Sequence, residues 1–488
     1  MSSTTVNTAI PAASSAAPRK LRLGALTALV IGSMVGSGVF GLPHDMANAA
    51  GPLAILIGWG ITAIGMLALV FVYQGLSVRK PDLDAGPYAY ARAGFGPFIG
   101  FNSAWGYWLS AWIGNVSYAV LVFSALAYFF PIFGDGNTWE AVAGASVLLW
   151  AVHFLVLSGV RQAALVNVIT TVAKIAPIVL FIAVAAVAFK LDVFSMDFSG
   201  PADGSMGGVL DQVKSTMLVT LWVFIGIEGA SVVSSRAERR RDIGTATIAG
   251  FMTCLGLYAL VSLLSLGVIQ RPELAALKNP SMAGVLERVV GSWGAALISI
   301  AVVVSVCGAF LSWTLFAAEI ANVAAKRKTL PRLFATDNAT GSPSSALWIT
   351  NALVQVFLLV TLYSQSTYQG LYYISSTAIL VPYVFSGAYA LRLAVTGESY
   401  GPNDNRGFGM AVGLVATVYG AWLVYAAGPA YLFMCAMLYA PGIIAHVIAR
   451  REAGERLFHP AELVIAAGLL VAAAWAGYDV WTGAISPL

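Results

Sequence analysis

GSMVGSGVFG, residues 32–41, decides how this chain is read. It interrupts a stretch otherwise apolar enough to cross a bilayer as a helix. In lipid, a helix break exposes backbone N–H and C=O groups, which is tolerated only where protein or a wet cavity receives them. A second interruption, WVFIGIEGAS at 222–231, falls in the sixth apolar segment. Two breaks at matching positions in two halves of a chain point to a substrate site at mid-membrane.

The composition agrees with a membrane setting. Only 10% of the 488 residues are charged and 59% are hydrophobic, and mean hydropathy is +0.82. A soluble chain carries about 25% charged residues. Apolar segments long enough to cross begin near residues 21, 51, 95, 139, 163, 212, 242, 283, 345, 367, 407, 429 and 461, so about thirteen transmembrane helices are expected. The loops between them place twenty of the 26 basic residues on one side and five on the other, with Lys174 inside a span. That asymmetry sets the N-terminus in the cytoplasm and explains the net charge of +4 without a nucleic-acid partner.

Residues 1–20, rich in Ser, Thr, Ala and Pro, read as a disordered cytoplasmic tail without the pattern of a cleaved signal peptide. Residues 21–200 form a first repeat of five spans and 201–396 a second, each opening on a glycine-broken helix. Five is odd, so the second repeat enters from the other side and is inverted. Residues 397–488 supply peripheral helices. Cys254, Cys307 and Cys435 lie in apolar spans, with no metal-ligand spacing and no disulfide framework.

A helix that stops at mid-membrane offers N–H groups to a carboxylate at one end and carbonyls to an ammonium at the other. A zwitterionic amino acid carries both groups on one carbon. Gly36 and Gly38 let a ligand approach the backbone, and Ser37 adds a hydroxyl. A small-residue packing seam would account for one such break; the pair in register favours transport. Glu228, a carboxylate inside a span, is a proton acceptor or a counter-charge to a cationic substrate. Lys174 could satisfy carbonyls freed by the first break, either coupling proton movement or serving as a fixed structural charge. Trp222 and Trp313 lie deep in spans, where indole faces attract a guanidinium or ammonium. Asn115 and Ser375 are polar in apolar runs, which interhelical hydrogen bonding explains nearly as well. A channel would need a continuous polar lining, and a membrane enzyme would need clustered His, Asp or Cys; neither pattern is present in the sequence.

These residues resemble a known family, the amino acid–polyamine–organocation transporters. The matches are GSMVGSGVFGLP (32–43), YWLSAWIGN (107–115), WVFIGIE (222–228), SWTLFAAE (312–319), PRLFATDNATGSP (331–343) and LVPY (380–383). IEGASVVSSRA (227–237) and the thirteenth helix look most like the arginine/ornithine antiporters among the basic amino acid/polyamine antiporters. The resemblance implies an all-α fold of paired five-helix inverted repeats, with helices 1 and 6 broken, working by alternating access in the inner membrane. It implies exchange of arginine for ornithine, with lysine, agmatine or putrescine as alternative substrates, and no cofactor or metal. It also implies substrate contacts at Met34, Gly36, Ser37, Gly38, Asn115, Trp222, Ile225, Trp313 and Ser375, and gating by Tyr107, Trp222 and Glu228. Ser376 is a neighbouring candidate for Ser375. Lys174 is a departure, similar to proton-coupled symporters of the superfamily, and keeps symport through Lys174 and Glu228 as an alternative. A homodimer stays open.

Overall fold

The computed structural model describes residues 22–83, 86–201, 203–228, 239–364 and 367–483. The expected tail over residues 1–20 lies outside them. Among the described residues every regular element is helical. In chain order the main helices are α1 Leu23–Met34, α2 Gly38–Ala49, α3 Pro52–Arg79, α4 Pro87–Phe95, α5 Pro97–Leu126, α6 Trp139–Leu157, α7 Val160–Ala188 and α8 Val209–Trp222. They continue with α9 Arg240–Val268, α10 Ser281–Val290, α11 Ser292–Lys326, α12 Ser344–Ser364, α13 Tyr368–Ala378, α14 Leu380–Thr396, α15 Arg406–Ala453 and α16 Pro460–Trp481.

Local sequence explains the boundaries. Proline occupies the first turn of α3, α5 and α16, where its missing N–H costs nothing. Among the described residues, nine helices are long and apolar enough to cross a bilayer, and ten if α1 and α2 count as one bent span. The sequence expectation is thirteen, and the difference has identifiable sources. α15 runs 48 residues through the two segments expected near 407 and 429, with Gly428 at φ 74° inside it. A straight helix of that length would span about 72 Å, far beyond the ~30 Å hydrocarbon core. α8 has 14 residues before it gives way to turns at Val223–Glu228, and residues 229–238 lie outside the described set.

α5 is buried along nearly its whole length and packs against α11 and α13. α1 lies against α9 and α7, while α2 lies against α8, α9 and α10. α16 packs on α15 and leaves most of its surface outward. Polar pairs link the helices across the interior. The Trp59 indole donates to Ser262 at 2.9 Å, Thr62 to Thr220 at 2.8 Å and Trp108 to Thr350 at 2.9 Å. In membranes each such bond contributes on the order of 0.6 kcal/mol. On the basic face, arginines close helix ends: Arg92 donates to the Arg327 carbonyl at 2.7 Å, and Arg392 donates to the Gly94 carbonyl.

Candidate functional site

The segment 32–41 spans the bend between α1 and α2. α1 ends at Met34, α2 begins at Gly38, and the two axes differ by 45°. Two of the orphaned carbonyls of α1 are closed locally, Ile31 by the Val35 N–H and Met34 by the Gly36 N–H, each at 2.8 Å. A third is closed from another helix, because the buried Lys174 ammonium donates to the Gly32 carbonyl at 3.1 Å. In the first turn of α2 the Phe40 N–H donates to the carbonyl of the cap residue Ser37 at 3.1 Å.

The two breaks are joined. Ser33 Oγ shares its one proton between the Val30 carbonyl at 2.8 Å and the Gly226 carbonyl at 3.0 Å. Gly226 sits at φ 104°, where side chains are strained. A Cβ there would approach the Ser33 carbonyl oxygen at 2.9 Å and the Trp313 ring at 3.3 Å. At Gly38 a Cβ would meet Val223 at 2.6 Å and Trp222 at 2.8 Å. Both glycines are therefore fixed by close approach between the breaks.

On one side of this joint stands an aromatic stack. Trp222 lies parallel to Tyr372, centroids 5.4 Å apart, and tilts against Tyr118 at 5.6 Å. Its indole N–H donates to Tyr368 at 3.2 Å, and Tyr368 donates to Ser37 Oγ at 2.9 Å. Tyr372 donates to Asp45 Oδ2 at 2.8 Å. A cavity of about 790 Å³ opens above, lined by His44, Asn279, Thr367, Tyr368 and Gln369 among others.

On the other side, Glu228 is buried between two phenols. Tyr107 donates to Oε1, and Tyr383 donates to Oε2 at 2.9 Å. The Tyr107 ring stacks on Trp313 at 6.4 Å.

Most residues expected at the site are brought together. Met34, Ser37, Trp222, Ile225, Trp313, Tyr107 and Glu228 are all buried around the two breaks, and a Cβ at Gly36 would stand 3.0 Å from the Tyr118 hydroxyl. Asn115 donates to Thr314 at 3.1 Å, while its Oδ1 is buried without a hydrogen-bond partner. Ser375 donates to the Ser110 carbonyl at 2.7 Å, and the neighbouring Ser376 hydroxyl has no hydrogen-bond partner. Sequence reasoning missed Ser33, Asp45, Tyr368, Tyr372 and Tyr383.

Helices of crossing length around a joined pair of breaks, with buried carboxylates and aromatics at the joint, define a multi-pass membrane transporter. The chain belongs to the amino acid permease family, whose profile matches residues 21–454. A protein of Pseudomonas aeruginosa named an arginine/ornithine antiporter is 52% identical over 95% of this chain and 98% of its own length. An L-lysine transport protein of Corynebacterium glutamicum is 41% identical over 96% of this chain and 97% of its own. Among solved structures, a substrate-bound outward-open state of a sodium-coupled sialic acid symporter superposes with TM-score 0.51 at 14% identity, covering 83% of this chain and 89% of that one. That likeness is one of fold.

Proposed function

We propose that this protein is a secondary transporter of cationic amino acids that exchanges arginine for ornithine across the plasma membrane by alternating access. The observation that carries the reading is the joint between the breaks. Ser33 ties α1 to Gly226, so the two interrupted helices meet at one point in the membrane. There the N-terminus of α2 suits an α-carboxylate, and carbonyls suit an α-ammonium. Trp222 and Trp313 offer faces to a guanidinium, and Glu228 supplies the counter-charge. The relative named an arginine/ornithine antiporter supports that substrate pair.

The architecture we assign is thirteen crossings with a cytoplasmic N-terminus. Nine apolar helices become ten when α15 is divided at Gly428. The bent pair α1–α2, the 29-residue α7 and the interrupted α8 add one each. Residues 21–200 and 201–396 are then the two inverted repeats, and 397–488 the peripheral helices.

Swapping two monocations moves no net charge, so substrate gradients alone drive the exchange. Proteoliposomes loaded with ornithine are expected to take up labelled arginine, with little uptake into empty vesicles and little response to membrane potential. Equally fast uptake into empty vesicles under a proton gradient would replace exchange with symport.

One observation favours that second reading. The Lys174 ammonium rests on a carbonyl at the end of α1, where a bound cation would serve. In the exchange reading this ammonium is a fixed strut. Lys174→Ala then leaves arginine/ornithine exchange running and lowers stability by about 1–3 kcal/mol, the cost of one unpaired buried carbonyl. Thermal unfolding in detergent and counterflow, measured on the same preparation, separate the two. Loss of exchange at undiminished stability would give Lys174 the coupling role.

A further inference from the structure

Two carboxylates, Asp45 and Glu228, each about 1% exposed, are buried inside the helical assembly close to the aromatic stack. Glu228 belongs to the site described above. Asp45 does not, although its setting is the same in kind. Glu228 is held by the hydroxyls of Tyr107 and Tyr383. Asp45 is held by the Tyr372 hydroxyl at 2.8 Å and the Gln369 amide at 3.3 Å.

Tyr372 and Tyr383 lie on one continuous span, Tyr368–Thr396. They are eleven residues apart, which is three helical turns and about 16 Å along one face. Each donates to one buried carboxylate. The Tyr372 end opens on the 790 Å³ cavity, whose lining includes Thr367, Tyr368 and Gln369. The other end runs to Arg392 and Thr396 on the basic face. Trp222 stacks on Tyr372 directly beside Asp45's hydrogen bond. Asp45 sits directly behind the cavity wall, next to His44 and hydrogen-bonded to Gln369, both of which line it, whereas neither tyrosine that holds Glu228 does.

The charges around Asp45 leave room for a cation. Among the described residues, His44 at 4.0 Å is the one basic side chain within ion-pair distance, and its Nδ1 has no hydrogen-bond partner. The Lys278 ammonium at the cavity wall is taken up by Asp135 at 2.7 Å. From the other elements packed here come Tyr368, Tyr372, Gln369 and Asn279, all uncharged donors or acceptors.

We infer that Asp45 is the cation-binding residue of an outer subsite, a first station that takes the guanidinium or ammonium of an incoming substrate before Trp222 and Glu228 receive it. The inference rests on the exchange reading and on the orientation that puts the cavity outside. A cation arriving at Asp45 competes with the Tyr372 and Gln369 donors. Their release frees Tyr372 from α2 and loosens the ring on which Trp222 stacks, so the same contact that recognises charge also unlocks the path. Tyr372 on α13 and Tyr383 on α14 belong to one span, so a movement of α13 away from Asp45 is passed to α14 and Tyr383 through Ile379.

The test is the sidedness of apparent KM in proteoliposomes of known orientation, using labelled arginine and the full chain. Asp45→Asn keeps an oxygen for Tyr372 and removes the charge. It is expected to raise the outside KM about tenfold and leave the inside KM where it was. Tyr372→Phe removes the latch and keeps the charge, so its outside KM is not raised. Equal rises on both sides in Asp45→Asn, or the same rise in both variants, would reduce Asp45 to a structural bond and overturn the subsite. An unaltered outside KM in Asp45→Asn would overturn it as well. Wild-type vesicles that fail to exchange at all would instead overturn the function itself, so the two failures are distinguishable. Thermal unfolding of each variant confirms that a folded protein is compared.

Discussion

Gly226→Ala is expected to cut arginine/ornithine exchange by about a hundredfold or more, with the protein still inserted in the membrane. At φ 104° an alanine is strained by roughly 1–3 kcal/mol. The added Cβ would also stand 2.9 Å from the Ser33 carbonyl oxygen, which is backbone and cannot swing aside. Relief requires moving the two breaks apart, which breaks the Ser33–Gly226 bond and shifts Trp313, 3.3 Å from the new atom. Strain and lost contacts together reach about 3 kcal/mol, a hundredfold in rate if they fall on the state that binds substrate. Ser33→Ala is the control: it removes one hydroxyl and no backbone geometry, at about 1 kcal/mol, and exchange should fall about tenfold at most. The measurement is initial counterflow per mole of reconstituted protein. A Gly226→Ala variant exchanging at the wild-type rate would remove the joint from the transport cycle.

Why that joint could be found in sequence, and its surroundings only in part, follows from the range of each signal. A glycine cluster in an apolar run is local: GSMVGSG at 32–38 marks its own break, and α1 does stop at Met34. Buried Glu228 and Trp222 are also conspicuous against apolar neighbours. Asp45 is not, since it follows Pro43 and His44 and resembles the start of a loop, while the structure continues α2 to Ala49. Its meaning comes from Tyr372, more than three hundred residues away and on a helix whose tyrosines look like ordinary membrane aromatics. Tyr383 was in view within LVPY, yet only tertiary packing aims its hydroxyl at Glu228. The division of α15 was legible too: hydropathy separates two segments near 429, beside Gly428, whose φ of 74° and ψ of 164° are non-helical and kink the stretch.

The pairing of each carboxylate with a tyrosine gives Glu228→Gln an effect that a simple loss of charge would not produce. Glutamine has nearly the same shape, but only one of its two terminal atoms accepts a hydrogen bond. Tyr107 and Tyr383 both donate to Glu228, so with glutamine one hydroxyl must turn and accept from the amide N–H. Both bonds are then neutral and about half as strong. The loss is about 3 kcal/mol from the closed arrangement, and exchange is expected to fall about a hundredfold. Tyr383→Phe removes one of the two bonds and should cost about tenfold. The pair acts as a unit, so Glu228→Gln with Tyr383→Phe should be no slower than Glu228→Gln alone, a coupling that a double-mutant cycle on exchange rates measures directly. Strict additivity would mean that Tyr383 and Glu228 serve different steps. Non-additivity would place them in one closure, in which the substrate's cation displaces tyrosine from the carboxylate and thereby opens the path toward the basic face.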